Sequence, residues 1–258
     1  MTGGEDLNER ARAATTKLDS LWHVDDGQAL FVGPLHRNAL HRHCVPVYLA
    51  GLYGTFRLRI ARDGWLSCRT AVIPARVPYE FDMGGEPLAV FYLEPNVASV
   101  DALTNLVRDT REINGALVGS HGEISLLRWI YEDRTRRRSI DLELKDLINF
   151  SSQKARILDP RVFRAVEYMQ RSSGEPTSVP QVASFVGLSS SRFQHVFTRE
   201  VGVPFRRYRS WHRLRTAVRE IVSGKSFTSA AHAAGFADQA HFSREFRRTF
   251  GAPPSRSL

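Results

Sequence analysis

The feature that most narrows the fold of this 258-residue chain is a degenerate repeat in its last third. Ala183, Gly187 and Leu188 recur 48 residues later as Ala231, Gly235 and Phe236, and Phe193, Phe197, Gly202 and Pro204 recur at a spacing of 49 as Phe242, Phe246, Gly251 and Pro253. One residue inserted at a turn accounts for the change of spacing. Each copy reads as a helix, a glycine-containing turn, a second helix, a glycine stop and a proline, which is the outline of a helix-turn-helix. The two motifs fall at about 180–202 and 228–251. Ser178 and Gln181 have capping-box spacing, and Ser189 and Asp238 each stand where they can cap the second helix of their copy. Between the copies, Phe205, Tyr208, Trp211, Leu214, Val218 and Ile221 recur every three or four residues. They predict a spacer helix of about seventeen residues, roughly 25 Å long. Such a spacer suits two second helices lying in successive major grooves about 34 Å apart, and one chain would then read an asymmetric site.

Charge agrees with a polyanionic partner. Residues 1–155 carry 19 Lys and Arg against 20 Asp and Glu, whereas residues 156–258 carry 17 against 7, and sixteen of those seventeen cations are Arg. A one-sided excess of this kind fits nucleic acid, an acidic membrane surface or a merely soluble basic face. The helical wheel favours nucleic acid. In the first copy it turns Phe193, Val196 and Phe197 inward and Ser191, Gln194, His195, Thr198 and Arg199 outward. In the second it turns Phe242, Phe246 and Phe250 inward and Gln239, Ala240, Ser243, Arg244, Arg247 and Arg248 outward. Major-groove edges offer acceptor pairs to Arg and a donor and acceptor together to Gln, so Arg244 is assigned to guanine and Gln194 or Gln239 to adenine. Arg192, Arg199, Arg247 and Arg248 are assigned to phosphates, with Ser189 and helix N-terminal amides in support. Asp238 and His241 complete the candidate DNA-binding set.

Residues from Asp159 to Arg256 resemble the AraC/XylS family of transcription regulators, and residues 230–254, AAHAAGFADQAHFSREFRRTFGAPP, are similar to that family's signature around its second helix-turn-helix. The resemblance implies double-stranded DNA as partner, a homodimer, an activator that recruits RNA polymerase, and no enzymatic activity.

Ahead of this unit, residues 28–94 have period two, with Phe56, Leu58 and Ile60 alternating with Arg57 and Arg59, a buried run at residues 88–93, and frequent glycine and proline. Short strands separated by turns make residues 21–95 a small sandwich or barrel, taken as a β-barrel; residues 96–155 are read as a helical linker and dimerisation region, and residues 1–20 as a mobile tail. The fold class expected is thus α+β, with an all-α C-terminal domain from residue 156. Apolar faces in 96–155 pack on the barrel or on a second subunit, and both remain open. Arg134 to Arg138 are read as a solvated loop, and Ser151 to Lys154 as a polar linker.

Residues 33–43 and 73–81 resemble a cupin-type sensor module. His41 and His43 form its HxH, but no Glu follows and Tyr79 stands where a later His is expected, so neither metal nor other cofactor is expected. An effector pocket is assigned to His41, His43, Phe56, Leu58, Arg69, Tyr79 and Tyr92. A metal-dependent cupin enzyme is the competing reading. Cys44 and Cys68 are too far apart for a CxxC pair and are read as reduced thiols. No apolar run approaches the roughly 18 residues of a spanning helix, and the acidic start lacks signal-peptide character, so a cytoplasmic protein is expected.

Overall fold

Alternation at period two builds the first half of the chain. The computed structural model describes residues 18–133, 139–151, 158–172 and 177–258. Strands β1 (Leu21–Val24), β2 (Gln28–Pro34), β3 (Val47–Gly51), β4 (Phe56–Ile60), β5 (Leu66–Cys68), β6 (Thr70–Ile73), β7 (Tyr79–Asp82) and β8 (Pro87–Leu93) follow one another. A one-turn helix α1 (Asp101–Thr104), a hairpin of β9 (Val107–Ile113) and β10 (Ala116–Gly122), and helices α2 (Ser125–Glu132) and α3 (Ile140–Ser151) complete this half. Pairing is antiparallel and yields a seven-stranded sheet in the order β1-β2-β8-β3-β6-β10-β9 and a three-stranded sheet in the order β5-β4-β7.

The expected barrel is therefore two facing sheets. Outside the ladders, only the isolated bridges Arg37 to Asp82 and His41 to Tyr79 tie residues 37–41 to β7 among the described residues. Between the sheets, Phe31, Leu49, Ile73, Val90 and Tyr92 meet Phe56, Leu58, Ile60 and Phe81. On the opposite face of the large sheet, Leu30, Val32, Tyr48, Val72 and Phe91 are covered by Leu103, Leu127, Ile130, Leu144 and Ile148 of the helices. Burial on both faces explains why residues 88–93 are apolar without alternation.

The helical reading of 96–155 is corrected in part. Val100, Leu103, Leu106 and Val107 share a helical spacing, but α1 ends at Thr104 and Val107 opens a strand. Asn114 (φ 49°) and Gly115 (φ 80°) form the turn of the β9–β10 hairpin, an Asn-Gly pair that favours a two-residue hairpin loop. β9 is a sheet edge whose residues 108–112 are all exposed and include Arg108, Asp109, Arg111 and Glu112, so charge protects it and hides the alternation that would have marked a strand. The tail expected over residues 1–20 is shorter at its inner end, because the Leu18 carbonyl accepts from the Tyr131 hydroxyl at 2.9 Å. Residues 1–17, 134–138 and 152–157 lie outside the described residues, and with them the rest of that tail, the arginine loop and most of the polar linker.

The second half is helical: α4 (Pro160–Arg171), α5 (Val179–Phe185), α6 (Ser190–Val201), α7 (Phe205–Val222), α8 (Phe227–Ala233) and α9 (Gln239–Phe250), then a 3-10 turn (Pro254–Arg256). Asp159 caps α4 by accepting from the Arg161 amide, with Pro160 at the first helical position. The Arg161 guanidinium beside it holds its carboxyl down at about 2. Edge-on packing of Phe193 and Phe197 against Phe205 joins the first motif to α7. Leu214, Ala217 and Val218 on the next turns of α7 pack with Phe236, Phe242 and Phe246 of the second motif. Each fully buried aromatic here contributes on the order of 1.5–3 kcal/mol.

Candidate nucleic-acid interface

The repeat has a backbone cause. Gly187 (φ 72°) and Gly235 (φ 75°) form the turns of the two motifs, and Gly202 (φ 81°) and Gly251 (φ 73°) end their second helices. Four left-handed positions at matching places call for four glycines, because a Cβ there is strained. Capping is likewise paired. Ser178 and Gln181 form a reciprocal box on α5, and Ser226 accepts from the Ser229 amide at the start of α8. Ser189 accepts from the Arg192 amide at 3.3 Å on α6, and Asp238 from the His241 amide at 2.6 Å on α9. These caps leave α6 and α9 as twelve-residue helices of matched length.

Their buried and open faces follow the wheel except at one residue. Phe193, Val196, Phe197, Phe242 and Phe246 are buried, while Ser191, Arg192, Gln194, His195, Arg199, Gln239, Ala240, Arg244, Arg247 and Arg248 are exposed. Thr198, Ser243 and His241 are half-buried. His241 packs its ring edge on Phe236 rather than standing free. Some polar groups already have partners. Arg199 pairs with Glu200 and Arg248 with Glu245 along their own helices, and the Gln239 side-chain oxygen accepts from the Thr228 hydroxyl at 2.9 Å. Among the described residues no carboxylate pairs with Arg244 or Arg247, so both guanidiniums are available to an incoming anion or base edge.

The exception is Phe250. Its ring packs on Phe246 of the helical core at 4.3 Å and on Trp211 at 6.0 Å, and it also reaches into the β-domain, where it lies 5.9 Å from Trp22, 5.8 Å from Tyr92 and 5.5 Å from His43. The second recognition helix thereby ends inside an aromatic box built mostly by the other domain. Hydrogen bonds from the β-domain reach the C-terminal ends of both second helices. The Ala39 amide donates to the Gly251 carbonyl at 2.8 Å, Asn38 donates to the Phe250 carbonyl at 3.2 Å, and Arg76 donates to the Gly202 carbonyl at 3.2 Å.

A buried charge fixes α7 to the same domain. Glu94, just after β8 and 1% exposed, accepts from the Trp211 indole at 2.6 Å, from Arg215 at 3.0 Å and from the Tyr208 hydroxyl. Arg215 also donates to the Asp26 carbonyl at 3.2 Å. Burial beside this carboxylate pushes the Tyr208 hydroxyl well above the ordinary tyrosine range. None of Glu94, Arg215, Asn38 or Arg76 stands out in the sequence, since a lone polar side chain carries no periodicity and its partner across the domains lies more than a hundred residues away.

The candidate effector residues separate. His41, Tyr79 and Tyr92 line a void of about 40 Å³ between the domains, with Phe31, Asn38, Phe81, Phe246 and Phe250, and Arg256 at its edge. His43 lies behind His41, their Nε2 atoms 3.1 Å apart. Phe56 and Leu58 belong to the packed core between the sheets, and they do not line this void. Arg69 is elsewhere, donating to the Gly51 carbonyl at 2.7 Å and the Leu52 carbonyl at 3.0 Å, where it closes a loop. Burial pushes the His41 imidazole down to about 4 and the His43 imidazole well below its usual range. Among the described residues no group of three or more His, Cys, Asp or Glu side chains is gathered to hold a metal ion. Burial raises the Cys44 thiol to about 11 and the Cys68 thiol to about 12, which keeps both unreactive.

A β-sheet domain packed on a tandem helix-turn-helix unit defines a two-domain architecture whose helical half is strongly basic. Residues 182–258 match the family model of a helix-turn-helix domain. The chain is 31% identical over 97 residues to the HTH-type transcriptional regulator RipA of Corynebacterium glutamicum, covering 37% of this chain and 29% of that protein. It is 30% identical over 100 residues to the arabinose operon regulatory protein of Escherichia coli, covering 38% and 34%. The chain thus spans about a third of the length of these curated relatives. Its backbone is similar, with a TM-score of 0.58 at 13% identity over 91% of this chain and 96% of the other, to the crystal structure of unsaturated fatty acid bound wild-type ToxT from Vibrio cholerae. The C-terminal domain is therefore similar to a helix-turn-helix domain, and the relatives it matches are an HTH-type transcriptional regulator and an operon regulatory protein. No described helix is long and apolar enough to cross a membrane.

Proposed function

We propose that this protein is a sequence-specific DNA-binding transcription regulator whose two recognition helices read successive major grooves and whose β-domain senses a small apolar effector. The observation that carries the reading is the pair of matched, capped helices α6 and α9, each with a buried aromatic face and an exposed face rich in Arg and Gln. Arg244 and Gln194 read bases, and Arg192, Arg199, Arg247 and Arg248 hold phosphates. Support for an effector comes from the apolar void against Phe250 and from the fatty acid in the ToxT structure. A void of about 40 Å³ has room for little more than a water, so an effector enters by displacing Phe250 from its aromatic box. That displacement frees the end of the second recognition helix, which gives the effector its grip on DNA binding. The reading includes activation through RNA polymerase and a homodimer in which a second copy covers Leu142 and Phe150 of α3, which are 65% and 93% exposed.

Selection of genomic fragments by the full chain at two salt concentrations, followed by footprinting, tests this. The expected result is a shared asymmetric site spanning two neighbouring major grooves. Equal retention of all fragments, vanishing at higher salt, would leave only a polycation and end the reading. Arg244→Ala is expected to cost about 1–3 kcal/mol on the selected site and to relax choice at one base pair. Equal losses on selected and scrambled duplexes would remove Arg244 from base reading.

A further inference from the structure

The β-domain carries net charge near zero in the sequence, yet it places its arginines where the second recognition helix ends. Trp65 is faced by three guanidiniums, Arg37 and Arg59 at 5.3 Å and Arg57 at 4.9 Å from its ring centre. Glu80, almost wholly buried, pairs with Arg59 and, at 3.3 Å, with Arg37. Beside them an open groove of about 630 Å³ runs between the domains, lined by Arg37, Arg59 and Glu80 on one side and Arg247, Gly251 and Arg256 on the other. Four guanidiniums face one carboxylate there. Among the described residues no acid pairs with Arg247 or Arg256. The hydrogen bond from Ala39 to Gly251 sets residues 37–40 one helical turn beyond Arg247, on the same side of the molecule.

We propose that this groove is a DNA-backbone site, in which Arg37 of the β-domain and Arg256 extend the phosphate contacts of α9 onto the flank of its groove segment. The inference rests on the DNA-binding reading above and adds the second domain to the interface. A helix in the major groove has phosphate backbone beside its ends. A strand passing Arg247 meets Arg256 and Arg37 next, and their guanidiniums match phosphate geometry. The groove is open along its length, which suits a polymer better than a small anion. Glu80 pairs with Arg59 and Arg37, and the Trp65 ring holds both guanidiniums beside the groove.

The test compares the full chain with Arg37→Gln and Arg256→Gln on a duplex bearing the selected site with ten base pairs on each flank, titrated from about 50 to 200 mM salt. Each lost phosphate contact lowers the salt slope by about 0.9, so the wild type should lose about three- to four-fold more affinity than either variant over that range. Base footprints should be unchanged, and phosphate-ethylation interference on the flank beyond the second motif should disappear. Thermal midpoints equal to wild type would establish that both variants fold, and either variant alone suffices for the comparison. Salt slopes equal to wild type in both would overturn the proposal. So would stabilisation of the DNA-free protein by inorganic phosphate, lost in Arg37→Gln with slopes unaltered, since the groove would then be a small-anion site. Failure of the regulator reading looks different: the wild type itself would show no base preference.

Discussion

Glu94→Leu is expected to lower the unfolding free energy by about 3–5 kcal/mol, read as a fall in the denaturant midpoint, because it leaves the Arg215 guanidinium buried without its carboxylate. Arg215 is 4% exposed, and its remaining partner in that pocket is the Asp26 carbonyl. The Trp211 indole and the Tyr208 hydroxyl lose their acceptor in the same step. Combining Glu94→Leu with Arg215→Met removes the orphaned charge and should recover most of the loss, since an apolar pair of similar volume often replaces a buried ion pair without penalty. A single variant as stable as wild type would mean that Arg215 reaches solvent on its own and that the network does not hold the domains. If effector binding works by parting the domains, the same variant should bind DNA alike with and without effector.

Acidification should destabilise the protein steeply between about pH 6.5 and 4. His41 is held down to about 4 and His212 to about 3 by burial, and the neighbouring Arg215 and Arg219 add to the effect on His212. Burial likewise holds His43 well below its usual range. Unfolded, each imidazole takes up a proton near 6.5; folded, each stays neutral well below that. The unfolded chain therefore binds more protons in this window, and stability falls as pH falls, by up to about 1.4 kcal/mol per pH unit for each histidine. The geometry explains the resistance to protonation. With its Nδ1–H donating to the Ala39 carbonyl at 2.9 Å, His41 accepts from His43 through Nε2. His43 Nδ1 is then left without a partner among the described residues. A proton added at His41 Nε2 would set two N–H groups against each other 3.1 Å apart and leave a buried cation beside the rings of Tyr79 and His43. His43→Phe should flatten the pH dependence of the denaturant midpoint by about one proton. An unchanged slope would show that other groups carry the acid sensitivity.

Elements governed by local rules were legible residue by residue. Asp159-Pro160, Ser178 to Gln181, Ser189, Asp238 and the two glycine stops mark helix ends because capping and positive φ act within four residues of chain. The spacer stripe from Phe205 to Ile221 predicts about seventeen residues and α7 spans eighteen, because its apolar period is strong. The β9–β10 hairpin escapes the apolar pattern because its charged edge strand suppresses alternation, and Asn114-Gly115 is the one local signal for it. Period two leaves a sandwich and a barrel equally open, because it states only that one face is buried, not whether the sheet closes.

By itself, then, the sequence determined the helix-turn-helix repeat, the outward face of each recognition helix and the sidedness of charge, because these depend on spacing along one helix. Only the tertiary structure decided where Phe250 points, which acid neutralises Arg215, and that Arg37 stands beside Arg247. Those pairings join residues more than a hundred positions apart. They are set by how the mouth of the two-sheet domain accepts the end of α9, a matter of shape and desolvation that no periodicity records.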